Sequence, residues 1–140
     1  MSDRVFLDTN VLVYAHDARD GRKQAISKAI VRGITYSGAG VVSMQVLQEF
    51  YNTVTRKLAV PLPRNEARAV VEDLSHFCIK TVPEDLLTAF QVEDQAMISF
   101  WDAMIVAAAI KAGATRILSE DLNAGQVIGG VRIENPFAVA

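Results

Sequence analysis

The sequence has 140 residues, a formal net charge of −2, 51% hydrophobic residues and 21% charged residues. This balance excludes a disordered chain, which would be richer in charge, and a uniformly basic surface that attracts nucleic acid everywhere. We expect a single domain over residues 1–140, long enough to bury its own core.

No stretch reaches the roughly 18 apolar residues that a membrane span needs, and the N-terminal residues lack the apolar core of a signal peptide. The one cysteine, Cys78, excludes an internal disulfide and a cysteine-based metal site. We therefore expect a cytoplasmic protein that makes no membrane contact.

The first predicted elements are a short strand and two helical segments. Residues 5–7 are β-prone and end at Asp8, and helical spacing begins between residues 11 and 14. Residues 20–34 have the pattern of a surface helix, with Gly33 placed to end it.

A second strand is predicted at Gly40–Ser43, and Ser43 is placed to cap a helix over residues 44–58. Residues 64–77 have helical spacing again, and residues 78–82 are predicted to be a third strand.

Pro83 suits the first turn of a further helix. Residues 100–113 form a helix that is apolar nearly all round and stops at Gly113, and strands follow at residues 115–119 and 131–133. This alternation predicts an α/β fold with a mainly parallel sheet covered on both faces, whose ligands bind outside the carboxyl ends of the strands.

Asp8, Thr9 and Asn10 interrupt an otherwise apolar stretch directly after the first predicted strand. A carboxylate in apolar surroundings costs several kcal/mol unless it is paired, hydrogen-bonded or bound to a metal. The alternative is that Asp8 is a turn or cap residue.

Glu49 is the second acidic candidate. At 100° per residue it falls on the polar face of the helix over residues 44–58, opposite Leu47 and Val54. The alternative is an ordinary solvated face, which every amphipathic helix has.

Asp102 lies three residues after Ser99, which is the spacing of a capping box. Its helix is so apolar that it must be buried, so a carboxylate in the first turn either meets solvent in a cleft or needs a cation. Ser119, Glu120 and Asp121 follow a strand in the same way, with a helix cap as the alternative for Ser119 or Asp121.

One pocket can collect these acids, because three of them follow strand ends or begin helices. Crowded carboxylates repel and partly protonate unless a divalent cation holds them. Oxygen ligands select Mg²⁺ or Mn²⁺ over zinc, so the pattern predicts metal-dependent phosphate chemistry.

Four motifs, "FLDTNVLVYA", "VSMQVLQEFYN", "SFWDAMIVAAAIKAG" and "ILSEDLNAGQ", resemble in sequence and order those of the PIN-domain ribonucleases, especially the VapC-like toxins of toxin-antitoxin pairs. The resemblance covers essentially the whole chain and implies a three-layer α/β/α fold. It also implies that one or two Mg²⁺ or Mn²⁺ ions support hydrolysis of RNA phosphodiester bonds by four catalytic, metal-ligating acids: Asp8, Glu49, Asp102 and Asp121.

By the same resemblance, Asn10 and Ser119 are polar helpers that hold carboxylates in place. The family's last motif often reads Thr-x-Asp, whereas this chain reads Ser119, Glu120, Asp121, which leaves either acid as the fourth ligand. We favour Asp121.

Arg56 and Lys57, with Arg64 and Arg68 nearby, are candidates for contacts with RNA phosphates, although a solvated rim is an equal alternative. Phe100 and Trp101 are predicted to lie in the core or an interface rather than to stack on RNA.

The resemblance also implies a homodimer and a small antitoxin whose basic side chain blocks the acidic pocket. The main rival is a catalytically silent PIN-like module that binds RNA or protein. A phosphatase of the haloacid dehalogenase type has the motif Asp-x-Asp, whereas this chain has Asn10 in the place of the second Asp. A receiver domain needs a phospho-accepting Asp after a strand in the middle of the chain, and "CIKTVPED" does not clearly supply one.

Overall fold

The computed structural model of the chain describes residues 3–138, and six strands and six helices lie in that range. The strands are β1 (Arg4–Leu7), β2 (Gly40–Ser43), β3 (Cys78–Ile79), β4 (Ala114–Leu118), β5 (Val127–Ile128) and β6 (Val131–Glu134). The helices are α1 (Thr9–Tyr14), α2 (Gly21–Ser37), α3 (Met44–Arg56), α4 (Arg64–Ser75), α5 (Asp85–Ala96) and α6 (Phe100–Lys111).

The strands form one sheet in the order β3-β2-β1-β4-β6-β5. All neighbouring strands are parallel except β5, which pairs with β6 in the antiparallel sense. In the centre, Leu7 of β1 lies opposite Leu118 of β4. The predicted α/β fold with a mainly parallel sheet is confirmed.

The helices fall into two packed groups. Helix α1 contacts α2 and α3, and α3 contacts α4, whereas α5 packs against α6. Because parallel crossovers are right-handed, a chain that winds from β1 to β3 and then returns to β4 places these groups on opposite faces of the sheet. The winding direction reverses between β1 and β4, and a doubly wound sheet has its crevice at that point.

The core fills both sides of the sheet with apolar side chains. The largest fully buried ones are Phe6, Leu7, Val11, Leu12, Val42, Val46, Phe50, Val54, Val106, Ile117 and Ile133. They come from the central strands and from α1, α3 and α6, so the elements that flank the carboxyl ends of β1 and β4 are the most firmly packed.

Several element boundaries differ from the prediction. Helix α1 begins at Thr9 rather than between residues 11 and 14, because the Asp8 side chain caps it. Gly33 does not end α2, which continues to Ser37 and ends at Gly38 with a left-handed φ of 72°. A glycine inside a helix costs only about 1 kcal/mol, which the packed face offsets.

Strand β3 is shorter than predicted and covers Cys78–Ile79 only. Strand β5 was not predicted, since a two-residue strand has no detectable period. Phe100 packs against the core as expected. Trp101 does not lie in the core, because its side chain is 65% exposed; the other half of its prediction, a place in an interface, stays a prediction.

No helix within residues 3–138 combines the length and the apolar character that crossing a membrane requires.

Candidate active site

Asp8 lies where β1 ends and α1 begins, at the crevice between β1 and β4. Its backbone N–H donates to the carbonyl of Leu118 in β4 at 3.0 Å. Its Oδ1 accepts from the backbone N–H of Thr9 at 2.8 Å, so Asp8 is also the N-cap of α1. Asp8 is only 8% exposed, and a helix cap alone does not require such burial.

Ser119 is the second buried polar group of the site and is fully inaccessible. Its Oγ donates to Asp8 Oδ2 at 2.7 Å. The same oxygen accepts from the backbone N–H groups of Asp121 and Leu122 at 3.1 and 3.2 Å. Ser119 therefore joins the end of β4 to the carboxylate at the end of β1.

The Asp8 carboxyl group has a pKa raised to about 6. Burial is the largest cause, and the charges of Asp121 and Glu49 raise the pKa further. The hydrogen bonds from Ser119 and from the Thr9 backbone oppose this shift because they favour the ionised form. The surroundings of Asp8 thus destabilise its ionised form, and pKa shifts of this kind are common at functional sites.

Asn10 connects the first and last acidic motifs. Its Nδ2 donates to Asp121 Oδ2 at 3.0 Å, and its Oδ1 accepts from the Glu120 backbone N–H at 3.1 Å. Asp121 is exposed, so this amide fixes the direction of a carboxylate that otherwise faces solvent.

Glu49 reaches the same site from α3, whose N-cap is Ser43, as predicted. Its Oε2 accepts from Thr9 Oγ1 at 2.9 Å and its Oε1 from Gln45 Nε2 at 3.2 Å. Gln45 Nε2 also lies 3.2 Å from the backbone carbonyl of Trp101 and donates to it. Glu49 is thereby tied to the "DTN" segment and, through Gln45, to the start of α6.

Asp102 lies in the first turn of α6 and is half-buried. Its backbone N–H donates to Ser99 Oγ at 3.1 Å, which is one half of the predicted capping box. The other half, from the Asp102 carboxylate to the Ser99 backbone, is not formed among the described residues. The carboxylate of Asp102 is therefore free of that capping role.

Glu120 makes its side-chain contacts with residues of α1 and α2. It forms an ion pair with Lys23, and its Oε1 accepts from the Tyr14 hydroxyl at 2.6 Å. Burial raises the pKa of Glu120, but the hydrogen bonds from Lys23 and Tyr14 outweigh it and lower the pKa overall. Lys23 also lies 4.8 Å from the centre of the Tyr14 ring.

The donor set contains only oxygen atoms, which suits Mg²⁺ or Mn²⁺. Thr9 is hydrogen-bonded to both Asp8 and Glu49. Ser119 is hydrogen-bonded to Asp8 and to the backbone of Asp121, whose side chain accepts from Asn10. Within residues 3–138, however, no three acidic, histidine or cysteine side chains already stand at metal-binding distance from one another. The residues fit a hard cation by their chemistry and by the raised pKa of Asp8.

The two predicted basic residues lie beside the site, at the end of α3. Lys57 lines a groove of about 410 Å³ together with Asn10 and Asp121. Arg56 lines a neighbouring groove with Arg64.

Sequence reasoning missed four supporting residues. Thr9 lies inside the "DTN" motif and Gln45 precedes Glu49 by one helical turn, so local spacing contains a signal for both. Tyr14 and Lys23 contact Glu120 across about 100 residues of sequence, and no local pattern indicates such a pairing.

The sheet and this site define an α/β protein with a carboxylate centre at the switch point of a doubly wound sheet. A family model described as "PIN domain" matches residues 5–128. The chain belongs to the PIN domain family. A comparison with curated proteins gives no match.

Solved structures show the same fold. VapC20 from Mycobacterium tuberculosis, a toxin that cleaves the sarcin-ricin loop, is 17% identical over 84% of this chain and 89% of its own, with a TM-score of 0.62. DNA-bound VapBC from Salmonella typhimurium is 19% identical over 96% and 99%, with a TM-score of 0.66. FitAcB from Neisseria gonorrhoeae is 16% identical over 96% and 99%, with a TM-score of 0.65. The resemblance to PIN domains and VapC-like proteins is confirmed.

Proposed function

We propose that this protein is a metal-dependent endoribonuclease and the toxin of a type II toxin-antitoxin pair. The observation that carries the proposal is the nearly buried Asp8 carboxylate, which lies beside the charges of Glu49 and Asp121 at the switch point of a PIN fold. The neighbouring structures support the toxin assignment, because one of them, VapC20, is a toxin that cleaves the sarcin-ricin loop.

In this proposal Asp8, Glu49, Asp102 and Asp121 hold one or two Mg²⁺ or Mn²⁺ ions. A bound ion supplies activation of water and neutralisation of charge on the phosphate. The chain's own contribution is orientation: Ser119 holds Asp8, Asn10 holds Asp121, and Thr9 holds Glu49. Fixed carboxylates need no rearrangement when charge develops during the reaction.

The choice between Glu120 and Asp121 as the fourth acid is supported by their contacts. Glu120 is paired with Lys23 and Tyr14, whereas Asp121 is exposed and directed by Asn10. Removing a metal ligand costs several kcal/mol, so we expect Asp121→Asn to lower cleavage about 100-fold or more.

The matched change Glu120→Gln keeps the Tyr14 hydrogen bond and the shape of the side chain. We expect it to lower cleavage and Mn²⁺ affinity by less than about 10-fold, since it acts only through the loop that holds Asp121. Parallel kinetics and calorimetry on both variants check this order. A larger loss in Glu120→Gln than in Asp121→Asn would make Glu120 the ligand.

We further propose an antitoxin partner and a homodimer in a cytoplasmic setting. Apolar side chains on α5 and near the start of α6 support a protein contact, since they are large and exposed: Leu87, Phe90, Met97 and Trp101. A basic side chain of an antitoxin entering the acidic site would compete with the metal for the same charge.

The first test is cleavage of a mixed RNA substrate with Mg²⁺, with Mn²⁺ and with EDTA. We expect cleavage with either ion and none with EDTA, because four carboxylates without a cation repel the phosphate. Calorimetry with Mn²⁺ measures binding independently of cleavage. A protein that neither cuts RNA nor binds Mn²⁺ is the silent binding module instead.

A further inference from the structure

A second charged surface lies between α3 and α4, which pack against each other. We call it the arginine groove; it has a volume of about 330 Å³ and is lined by Tyr51, Thr55, Arg56, Arg64 and Arg68. Tyr51 and Thr55 are one turn apart on α3, as Arg64 and Arg68 are on α4. Three of the five lining residues are cations and none is an acid.

These three arginines are not neutralised by the protein. Across residues 3–138, ion pairs are formed by Arg19, Lys23, Lys111 and Arg116, but not by any arginine of the groove. Cations that surround one groove repel each other, and a bound anion relieves that repulsion. The groove is therefore suited to an anionic ligand.

The donors of the groove are partly oriented in advance. Arg68 Nε donates to the Tyr51 hydroxyl at 3.2 Å, and the guanidinium lies 5.9 Å from the centre of the Tyr51 ring. The terminal nitrogens of Arg68 stay available as a planar fork, which matches two oxygens of a phosphate. The hydroxyl of Thr55 already donates to the Tyr51 carbonyl at 2.7 Å, so it adds no donor.

Arg56 connects the groove to the acidic site along α3. Arg56 follows Glu49 by seven residues, which is nearly two helical turns and about 10 Å along α3. Both side chains consequently project from the same side of the helix. A nucleic-acid strand whose scissile phosphate meets the acids can extend along α3 until a neighbouring phosphate reaches the arginines.

We propose that the arginine groove is a phosphate-binding subsite for single-stranded RNA flanking the cleaved bond, with Arg64, Arg68 and Tyr51 as its floor and Arg56 as its link to the acidic site. The inference rests on the proposed nuclease function. Guanidinium forks bind carboxylates and phosphates alike, so the choice of a phosphodiester as the ligand follows from the RNA substrate proposed for the acidic site.

The test measures binding of a fluorescein-labelled 20-nucleotide oligouridine by anisotropy, at several salt concentrations, to the full chain carrying Asp8→Asn so that RNA is not cut. We expect Arg64→Ala with Arg68→Ala to weaken binding about 10-fold and to lower the salt slope by about 1.4, which is two contacts at 0.7 each. Arg64→Lys with Arg68→Lys keeps the charges, so we expect a smaller loss.

The matched control is Arg22→Ala with Arg32→Ala, which removes two exposed arginines of α2. We expect it to leave affinity and salt slope nearly unchanged. An equal loss in the control and in the groove variant overturns the subsite, and so does the absence of oligouridine binding by any variant. Thermal unfolding of each variant shows whether the fold is intact, and the lysine variant tests the groove if the alanine variant is unfolded.

A 20-residue polyglutamate peptide separates RNA from an acidic protein segment. If the groove variant weakens binding of the peptide more than binding of the oligouridine, the groove takes protein and the proposal is wrong. RNA cleavage by the wild type with unchanged oligouridine binding by the groove variant overturns the subsite alone. Conversely, a groove-dependent salt slope in a protein that cuts no RNA refutes the nuclease proposal and leaves the groove as an RNA-binding surface that flanks no cleaved bond, which overturns the subsite as defined here.

Discussion

Asp8→Asn is expected to reduce metal-dependent RNA cleavage about 1,000-fold or more and, in metal-free buffer, to stabilise the fold. Loss of activity follows from removal of the carboxylate that the site buries most deeply. The gain in stability follows because the ionised Asp8 is destabilised by burial and by the charges of Asp121 and Glu49.

The pH dependence of this effect has a definite sign. The pKa of Asp8 is about 6 in the folded protein and 3.8 as its ordinary value, so between these pH values the folded state binds more protons than the unfolded one. The contribution of Asp8 to the free energy of unfolding therefore falls as the pH rises from about 4 to 6, and its full penalty, about 3 kcal/mol, applies above pH 6.

The asparagine variant avoids this charge penalty but does not recover all of it. Ser119 Oγ already accepts from two backbone N–H groups, so the amide nitrogen of an asparagine finds no acceptor there, at a cost of about 1 kcal/mol. We expect a net rise of about 5 °C in the melting temperature at pH 7.5 in EDTA, and no rise at pH 4.

Thermal unfolding of both proteins at pH 4 and 7.5, with EDTA and with Mn²⁺, checks this prediction. Glu49→Gln is the control, because it removes the same charge from an exposed side chain and should change stability little. With Mn²⁺ the wild type should regain stability and Asp8→Asn should not. A variant that is less stable than the wild type at pH 7.5 in EDTA would contradict the burial argument.

The parts of the fold that sequence predicts well are those with a strong local signal. The predictions of helix α3 and of its cap Ser43 are correct, because apolar residues recur at helical spacing after a serine that can cap the helix. The predicted end of α2 at Gly33 is wrong and the helix ends at Gly38. Both glycines carry the same local signal, and only packing decides between them. Strand β5 is too short for any periodicity.

The candidate site likewise has a part that the sequence predicts and a part that it does not. The acids at strand ends are visible in sequence because an α/β sheet gathers its strand ends at one edge. The contacts that orient them are not visible: Asn10 to Asp121 and Ser119 to Asp8 each join residues separated by 111 positions. The resemblance to a family identifies Asn10 and Ser119 as helpers. The contacts of Tyr14 and Lys23 with Glu120 are evident only from the structure.

Ser119→Ala is expected to lower both the stability of the fold and the affinity for metal, and by more than the loss of one hydroxyl group suggests. The change removes the hydroxyl that donates to Asp8 and leaves the backbone N–H groups of Asp121 and Leu122 without their acceptor. The Leu122 N–H is buried and the Asp121 N–H is half-buried, and leaving the two unpaired costs about 2 kcal/mol or more together. Loss of a group that orients a ligand lowers metal affinity about 10- to 100-fold.

A second consequence of Ser119→Ala concerns pH. The Ser119 hydrogen bond lowers the pKa of Asp8, so its removal raises that pKa further above about 6. The pH above which the Asp8 penalty is complete should move upward with it, as a difference in stability between the variant and the wild type. Unfolding measured between pH 4 and 8, together with Mn²⁺ calorimetry, gives both effects.

Two matched variants separate orientation from simple loss of a buried hydroxyl. Ser27 is also fully buried, but its Oγ has no hydrogen-bond partner among the described residues, so Ser27→Ala should leave stability equal or higher and leave metal affinity unchanged. Ser119→Thr keeps the hydroxyl and should retain most of the affinity and activity. If Ser119→Ala binds Mn²⁺ as tightly as Ser27→Ala does, then Ser119 only completes the end of β4, and the acidic site is oriented by Thr9 and Asn10 alone.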